Sequence, residues 1–271
     1  MPESYKFIKL DIDQNVAKIT LNHPDVLNSF NKPMAKEFQH AFTTFAGPDP
    51  EKAYNRHIRA VLITGEGRAF CAGQDLAEAA PKDASWPNIR TIVKESYSPM
   101  IKAMRKLEKP VVCAVNGIAA GAGANLALAG DIVVASEKAG FLQAFIHIGL
   151  VPDSGGTYFL PRLAGLHRAA AMMMLGEKIS AQEAQEIGMI YKVFPPDKFA
   201  EEAMNLVLHL AKMPTKALGL TKRALNKSFE NDLETQLTLE EDLQGVAGGT
   251  QDYEEGVKAF LEKRKAEFIG R

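Results

Sequence analysis

Two β-branched runs, each followed by a turn of small residues, constrain this chain more than any other feature. Ile58-Arg59-Ala60-Val61-Leu62-Ile63-Thr64 ends at Gly65 and leads into Arg68-Ala69-Phe70-Cys71-Ala72-Gly73-Gln74-Asp75-Leu76. Pro110-Val111-Val112-Cys113-Ala114-Val115 leads into Asn116-Gly117-Ile118-Ala119-Ala120-Gly121-Ala122-Gly123-Ala124-Asn125. Both runs read as strands, and the second reads as buried on both faces. Ile89 to Leu107, between them, has helical spacing. Strand, crossover helix and strand together predict a parallel pair.

The flanking segments extend this rhythm. Val16 to Leu21 alternates like a half-buried strand, and Asp131 to Ala135 is a further strand. Met34, Phe38, Phe42 and Phe45 place a helix over Pro33–Phe45. Beyond about residue 165 strand signals thin out. Ser180-Ala181-Gln182-Glu183 is a capping box, and Gly188 is a helix stop. Pro195-Pro196 breaks the chain. Amphipathic helices are then predicted over Ala200–Lys212, Thr215–Phe229, Leu233–Val246 and from Asp252 to about Lys265. The expected fold class is α/β, with a helical C-terminal region. Pro81 to Pro87, polar and carrying Trp86, reads as a loop.

Composition excludes several functions. The net charge of −1 over 271 residues gives no global pull toward nucleic acid or a membrane surface. Cys71 and Cys113 are too few for a disulfide framework or a zinc site, so no metal is expected and a reducing compartment fits best. Met1 to Asp11 lacks a signal-peptide core, no apolar run has membrane-spanning length, and Ile-Gly-Arg matches no peroxisomal tripeptide. A cytoplasmic location is therefore expected.

Three segments carry possible chemistry. A strand running into a Gly/Ala-rich helix start presents free N–H donors and a positive dipole end. Two such turns facing each other can bind one oxyanion, although taken singly each reads more readily as close packing. The second turn is neither a Walker loop nor a dinucleotide fingerprint. The third segment, Gly149-Leu150-Val151-Pro152-Asp153-Ser154-Gly155-Gly156-Thr157, sets one acid in an uncharged run, with Glu137 and Glu177 its nearest acidic neighbours. Asp153 either caps a helix beginning near Gly155 or does chemistry. His147 and Met172-Met173-Met174 read as packing residues, and Lys222-Arg223 as a solvated helix face.

Taken in order, these blocks resemble the crotonase superfamily, the enoyl-CoA hydratases and isomerases. The resemblance runs from Leu21-Asn22-His23-Pro24 and Leu27-Asn28-Ser29-Phe30 through both turns, Lys109-Pro110, Gly155-Gly156-Thr157 and Leu160-Pro161-Arg162 to Glu262-Lys263-Arg264. It implies a ββα spiral core over residues 1–200 and a helical trimerisation region over 201–271. It also implies an acyl-CoA substrate of which coenzyme A is a part, no separate cofactor, and a homotrimer or a dimer of trimers. Gln74 and Ala122 match the two backbone N–H donors that hold the thioester oxygen. Ala72, Gln74 and Leu76 match the adenine side. Phe260 and Lys263 match the pair at the CoA nucleotide that a neighbouring subunit often supplies, while Lys263 taken alone reads as a solvated charge and Phe260 as core.

The resemblance also marks departures. Asn125 and Phe145 stand where hydratases place their two glutamates, and neither can transfer a proton. Asp153 aligns with the acid of several isomerases. Gly-Leu-Val-Pro-Asp-Ser-Gly-Gly and Gly249-Thr250-Gln251-Asp252-Tyr253-Glu254-Glu255-Gly256 resemble the 1,2-epoxyphenylacetyl-CoA isomerase type. An isomerase of ring-epoxide or cis-3-enoyl-CoA thioesters is therefore expected. Other readings are a hydratase, an aryl-CoA dehalogenase with Asp153 as nucleophile, and a non-catalytic CoA- or RNA-binding member. The lack of a basic comb speaks against RNA.

Overall fold

The β-branched runs pair side by side, in parallel, as their length and the helix between them require. The structure is a computed structural model and describes residues 5–46, 57–79 and 88–271. The proposed loop over Pro81–Pro87, with Trp86, lies outside the described residues. A sheet of six strands has the order β1-β2-β3-β5-β7-β10. Its members are β1 (Ile8–Asp13), β2 (Val16–Leu21), β3 (Ala60–Gly65), β5 (Val111–Val115), β7 (Ile132–Ser136) and β10 (Lys192–Phe194), all parallel except the β1–β2 hairpin. A second sheet, ordered β4-β6-β8-β9, contains β4 (Ala69–Cys71), β6 (Ile118–Ala120), β8 (Gly140–Leu142) and β9 (Lys178–Ser180). The chain therefore spirals. β3, β5 and β7 each lay down a long strand and then step into the second sheet as β4, β6 and β8.

The central strands of the first sheet are buried on both faces, which their β-branched composition anticipates. Val61, Ile63, Val111, Cys113 and Val115 face one core, while Ala60, Leu62, Val112 and Ala114 face the other. The first core is closed by α1 (Lys32–Ala46) and by a long helix in three parts. α2 (Leu76–Ala79) precedes that helix, whose parts are α3 (Ile89–Ile92), a π-helical turn (Val93–Tyr97) and α4 (Ser98–Lys106). Periodicity predicts one continuous helix over Ile89–Leu107. The observed π turn inserts one residue into it and swings Tyr97 inward, where it is 3% exposed.

The remaining helices are α5 (Ala122–Leu128), α6 (Gly156–Ala164), α7 (Leu166–Leu175), α8 (Ala181–Glu186), α9 (Phe199–Lys212), α10 (Thr215–Lys227), α11 (Leu233–Gly248) and α12 (Gln251–Leu261). The Ser180 hydroxyl accepts from Glu183 N, which is the N-cap half of the expected capping box. α9 closes the second core with Phe199, Ala203, Val207 and Ala211, one residue per turn. α12 is shorter than predicted. Lys263 takes a left-handed conformation (φ 56°), and the chain turns back so that Arg264 meets both carboxylate oxygens of Glu255 at 2.6 and 2.8 Å.

Half-buried Arg59 and buried Lys222 tie the C-terminal helices to the spiral. Arg59 donates to Met213 O, Thr215 Oγ1 and Phe268 O at 2.6–2.8 Å. Lys222 Nζ lies 2.7 Å from Asp131 Oδ2, and Arg105 Nη1 lies 2.8 Å from Asp131 Oδ1. Lys222 is 6% exposed, so the expectation of a solvated face is wrong for it; Arg223, pairing with Glu108, does sit at the surface. Burial pushes the Lys222 ammonium below its usual range, and the Asp131 charge opposes that shift. Asp131→Asn removes the counter-charge of a buried ammonium and is expected to cost about 3 kcal/mol, read from the urea unfolding midpoint.

Candidate active site

The two turns meet because their backbones approach more closely than side chains allow. A Cβ on Gly117 would lie 2.0 Å from Arg68 O, and one on Gly123 would lie 2.3 Å from Cys71 O. Hydrogen atoms alone fit at these two positions. Gly73 sits at φ +99°, and a Cβ there would lie 3.0 Å from Ala120 O and 3.5 Å from Ala122 N. The first turn therefore rests directly against the start of α5.

The N–H groups sort themselves by what surrounds them. Ala72 N donates to Leu27 O at 3.0 Å, Asp75 N to Phe30 O at 2.9 Å, and Gly73 N to the Cys71 sulfur at 3.4 Å. Gln74 lies between them in a parallel bridge with Phe30, and its N–H has no acceptor among the described residues. Ala122 N belongs to the first turn of a helix and has no intrahelical partner. Gln74 N and Ala122 N are thus both open, as are Gly123 N and Ala124 N further along the first turn of α5; the resemblance singles out Gln74 and Ala122 among them. Any backbone contact from Ala72 to a ligand goes through its carbonyl. Leu76 opens α2 and is 57% exposed.

Asp153 does not cap α6 with its side chain. Its carbonyl accepts from Gly156 N at 2.9 Å, whereas its carboxylate accepts from the Ser154 hydroxyl at 2.8 Å. Ser154 and Gly155 both take positive φ, 52° and 78°. Holding a non-glycine residue such as Ser154 there costs of order 1 kcal/mol. The carboxyl group is half-buried, and burial raises its pKa above the usual aspartate range despite the Ser154 hydrogen bond.

Asn125 is fully buried and joins this loop to the second turn. Its Nδ2 donates to Asp153 O at 2.9 Å, and its Oδ1 accepts from Gln143 Nε2 at 2.8 Å. Gly156 packs on the same amide, since a Cβ there would lie 2.3 Å from Asn125 Nδ2. Phe145 is 7% exposed and its ring faces Gly121, within 3.8 Å of where a Cβ would stand. So the structure brings Gln74, Ala122, Asn125, Phe145 and Asp153 together.

Phe260 and Lys263 are not part of this cluster. Phe260 is 82% exposed, not core, and lines a groove of about 710 Å³ with Pro214, Gln244, Tyr253 and Phe268 on the C-terminal helices. Lys263 is exposed just beyond α12. His147 is also exposed. Met172 packs in the core, whereas Met174 is 73% exposed. Both cysteines are buried and free, and burial pushes the Cys71 thiol up to about 12. Among the described residues no cluster of three or more His, Cys, Asp or Glu could hold a metal, and no helix is long and apolar enough to cross a membrane.

Two residues at the site are invisible to motif reading: Gln143 has no spacing signal, and Tyr97 is hidden in a helical stretch that periodicity treats as ordinary. Asn125→Ala strips a buried carbonyl and a buried amide of their partner. The expected loss is about 2 kcal/mol of unfolding free energy, measured by urea denaturation.

A family model described as Enoyl-CoA hydratase/isomerase matches residues 11–271. A 1,2-epoxyphenylacetyl-CoA isomerase of Escherichia coli (strain K12) is 45% identical, covering 98% of this chain and 99% of that protein. A "Probable enoyl-CoA hydratase" of Rhodobacter capsulatus is 44% identical over 99% of this chain and 100% of its own length. The crystal structure of an enoyl-CoA hydratase from Bacillus anthracis superposes with a TM-score of 0.90 at 33% identity, over 98% of this chain and 100% of that one. The spiral of paired strands, the two converging turns and this likeness along almost the whole chain lead to one assignment: the protein belongs to the enoyl-CoA hydratase/isomerase family and has the crotonase fold.

Proposed function

We propose that this enzyme is an acyl-CoA isomerase using one carboxylate. The N–H groups of Gln74 and Ala122 hold the thioester oxygen as it gains enolate charge. A preorganised donor of this kind is worth about two to three decades in rate. Asp153 takes a proton from C2 and returns it at C4, so no water is consumed. The substrates that fit are a cis-3-enoyl-CoA, which becomes trans-2, and 2-(1,2-epoxy-1,2-dihydrophenyl)acetyl-CoA. Likeness to the Escherichia coli isomerase supports the second.

The observation that carries this reading is the fate of the two hydratase glutamate positions. Asn125 is tied at both ends of its amide, and Phe145 puts an apolar ring beside Gly121. Neither activates water or delivers a proton. The other acids near the first turn are committed elsewhere. Asp75 accepts from Ala77 N, and Glu78 accepts from Lys32 N. Asp153 is left half-buried beside a dry wall, which raises its basicity in the ionised form.

Asp153→Asn is expected to lower kcat on cis-3-enoyl-CoA by at least about 100-fold while CoA-thioester binding persists. Undiminished turnover in this variant overturns the mechanism, and substantial hydration of crotonyl-CoA by the wild type restores the hydratase reading. The acid limb of kcat/KM is expected above the usual aspartate range, because Asp153 must be ionised to act. The same raised pKa makes the ionised group a burden on the folded state. Its stabilising contribution is present at low pH and lost as the pH rises through the folded pKa. Asp153→Asn should therefore melt higher than wild type at pH 7, with the gap closing in acid.

The assembly is proposed on the same footing, as a homotrimer or a pair of trimers. Leu225, Phe229, Leu233 and Phe260 are each more than 60% exposed on the C-terminal helices, an apolar surface that calls for a cover. Light scattering is expected to return three or six times 29.6 kDa, and a monomer mass would remove the proposal.

A further inference from the structure

Tyr97 is the buried polar side chain at the first turn that the mechanism above does not use. The π turn at Val93–Tyr97 points it inward, and its hydroxyl donates to Gln74 Oε1 at 2.5 Å. Its ring packs edge-on against Phe30, with centroids 6.2 Å apart. Phe30 is the residue whose N–H and C=O bracket Gln74, bonding Gly73 O at 2.7 Å and Asp75 N at 2.9 Å. The other end of the Gln74 amide donates to Asp75 O at 3.2 Å and reaches toward Glu78 at 3.4 Å. The Gln74 side chain is therefore held at both ends, and its own backbone N–H is open, with no acceptor among the described residues. Burial raises the Tyr97 phenol far above its usual pKa, with Cys71 and Asp153 adding to the shift. It stays protonated at every working pH and keeps donating.

We propose that Tyr97 is a positioning residue, which fixes the oxyanion-holding N–H of Gln74 by clamping the Gln74 side-chain amide. The proposal rests on the assignment of Gln74 N and Ala122 N as the oxyanion donors. A small reorientation of a preorganised donor weakens it most where charge develops, so the loss falls on kcat more than on KM. Tyr97 acts through Gln74 and not on the substrate, which makes the two side chains one unit.

The test compares wild type, Tyr97→Phe, Gln74→Ala and the double variant, since Gln74→Ala retains the backbone N–H. Two readouts are taken. One is kcat and KM on cis-3-enoyl-CoA. The other is the lowering of the carbonyl stretch of trans-2,4-hexadienoyl-CoA on binding, which reports polarisation at the oxyanion site without turnover. Each single variant is expected to lose up to about tenfold in kcat, the scale of one hydrogen bond, with little change in KM. The double variant is expected to lose no more than either single, and all three should lose the same part of the carbonyl shift. An unchanged carbonyl shift in Tyr97→Phe, or losses that multiply in the double variant, overturn the proposal. A wild type that shows no carbonyl shift removes the donor assignment itself, and the proposal with it.

Discussion

The structure depends on one steric constraint, the contact of peptide backbones where the spiral crosses itself. Gly117 and Gly123 face Arg68 O and Cys71 O at distances that exclude a Cβ. A methyl group at either would drive the second turn off the first, and with it the N–H of Ala122 away from that of Gln74. The two sheets exist to create this crossing. The long parallel strands carry the turns to one end of the molecule, and the short strands β4 and β6 then pair to lock them in register. Asn116 reinforces the lock, since its side chain accepts from Gly65 N and donates to Gly67 O and Ala69 O.

The same economy shows at Asn125. A glutamate there would be a proton carrier, as the resemblance to hydratases implies, but an amide can donate and accept at once. Asn125 uses both capacities, gripping the Asp153 carbonyl with one end and Gln143 with the other. The position that the resemblance assigns to a hydratase glutamate is here a strut for the Asp153 backbone. The left-handed pair Ser154–Gly155 follows, and the Asp153 carboxylate accepts from the Ser154 hydroxyl rather than capping the helix it precedes. The charge sits on half-buried Asp153 and the backbone strain on Ser154 beside it. Phe145, at the position of the second hydratase glutamate in the resemblance, sets an apolar ring beside Gly121.

The large parallel strands, the helices and the two turns were legible because each announces itself locally, by β-branched runs, by period or by glycine. The second sheet was not. Its strands are three residues long, and only pairing with distant segments defines them. β1 escaped although Ile8, Leu10 and Ile12 alternate, because the charged residues between them on this edge strand make the segment read as polar. The π turn and the early end of α12 escaped for a related reason. Both depend on side chains meeting partners far along the chain or across a turn, Tyr97 with Gln74 and Arg264 with Glu255. At the site, residue types and order were readable, while the Asn125–Asp153 link, spanning 28 positions, required the fold. The cation pair at Asp131 lay equally beyond reach, since Lys222 sits in a helix whose sequence looks solvated.

The central claim is that a single carboxylate carries the proton across the substrate in a site without a catalytic water. The most direct test follows the hydrogen itself. With cis-3-enoyl-CoA deuterated at C2 and turned over once in light water, mass spectrometry of the trans-2 product reads where the label goes. The account predicts that a measurable fraction of the deuterium reappears at C4, carried there by Asp153. Complete loss of the label to solvent in that single turnover, together with a 3-hydroxyacyl product bearing oxygen from water, would contradict it.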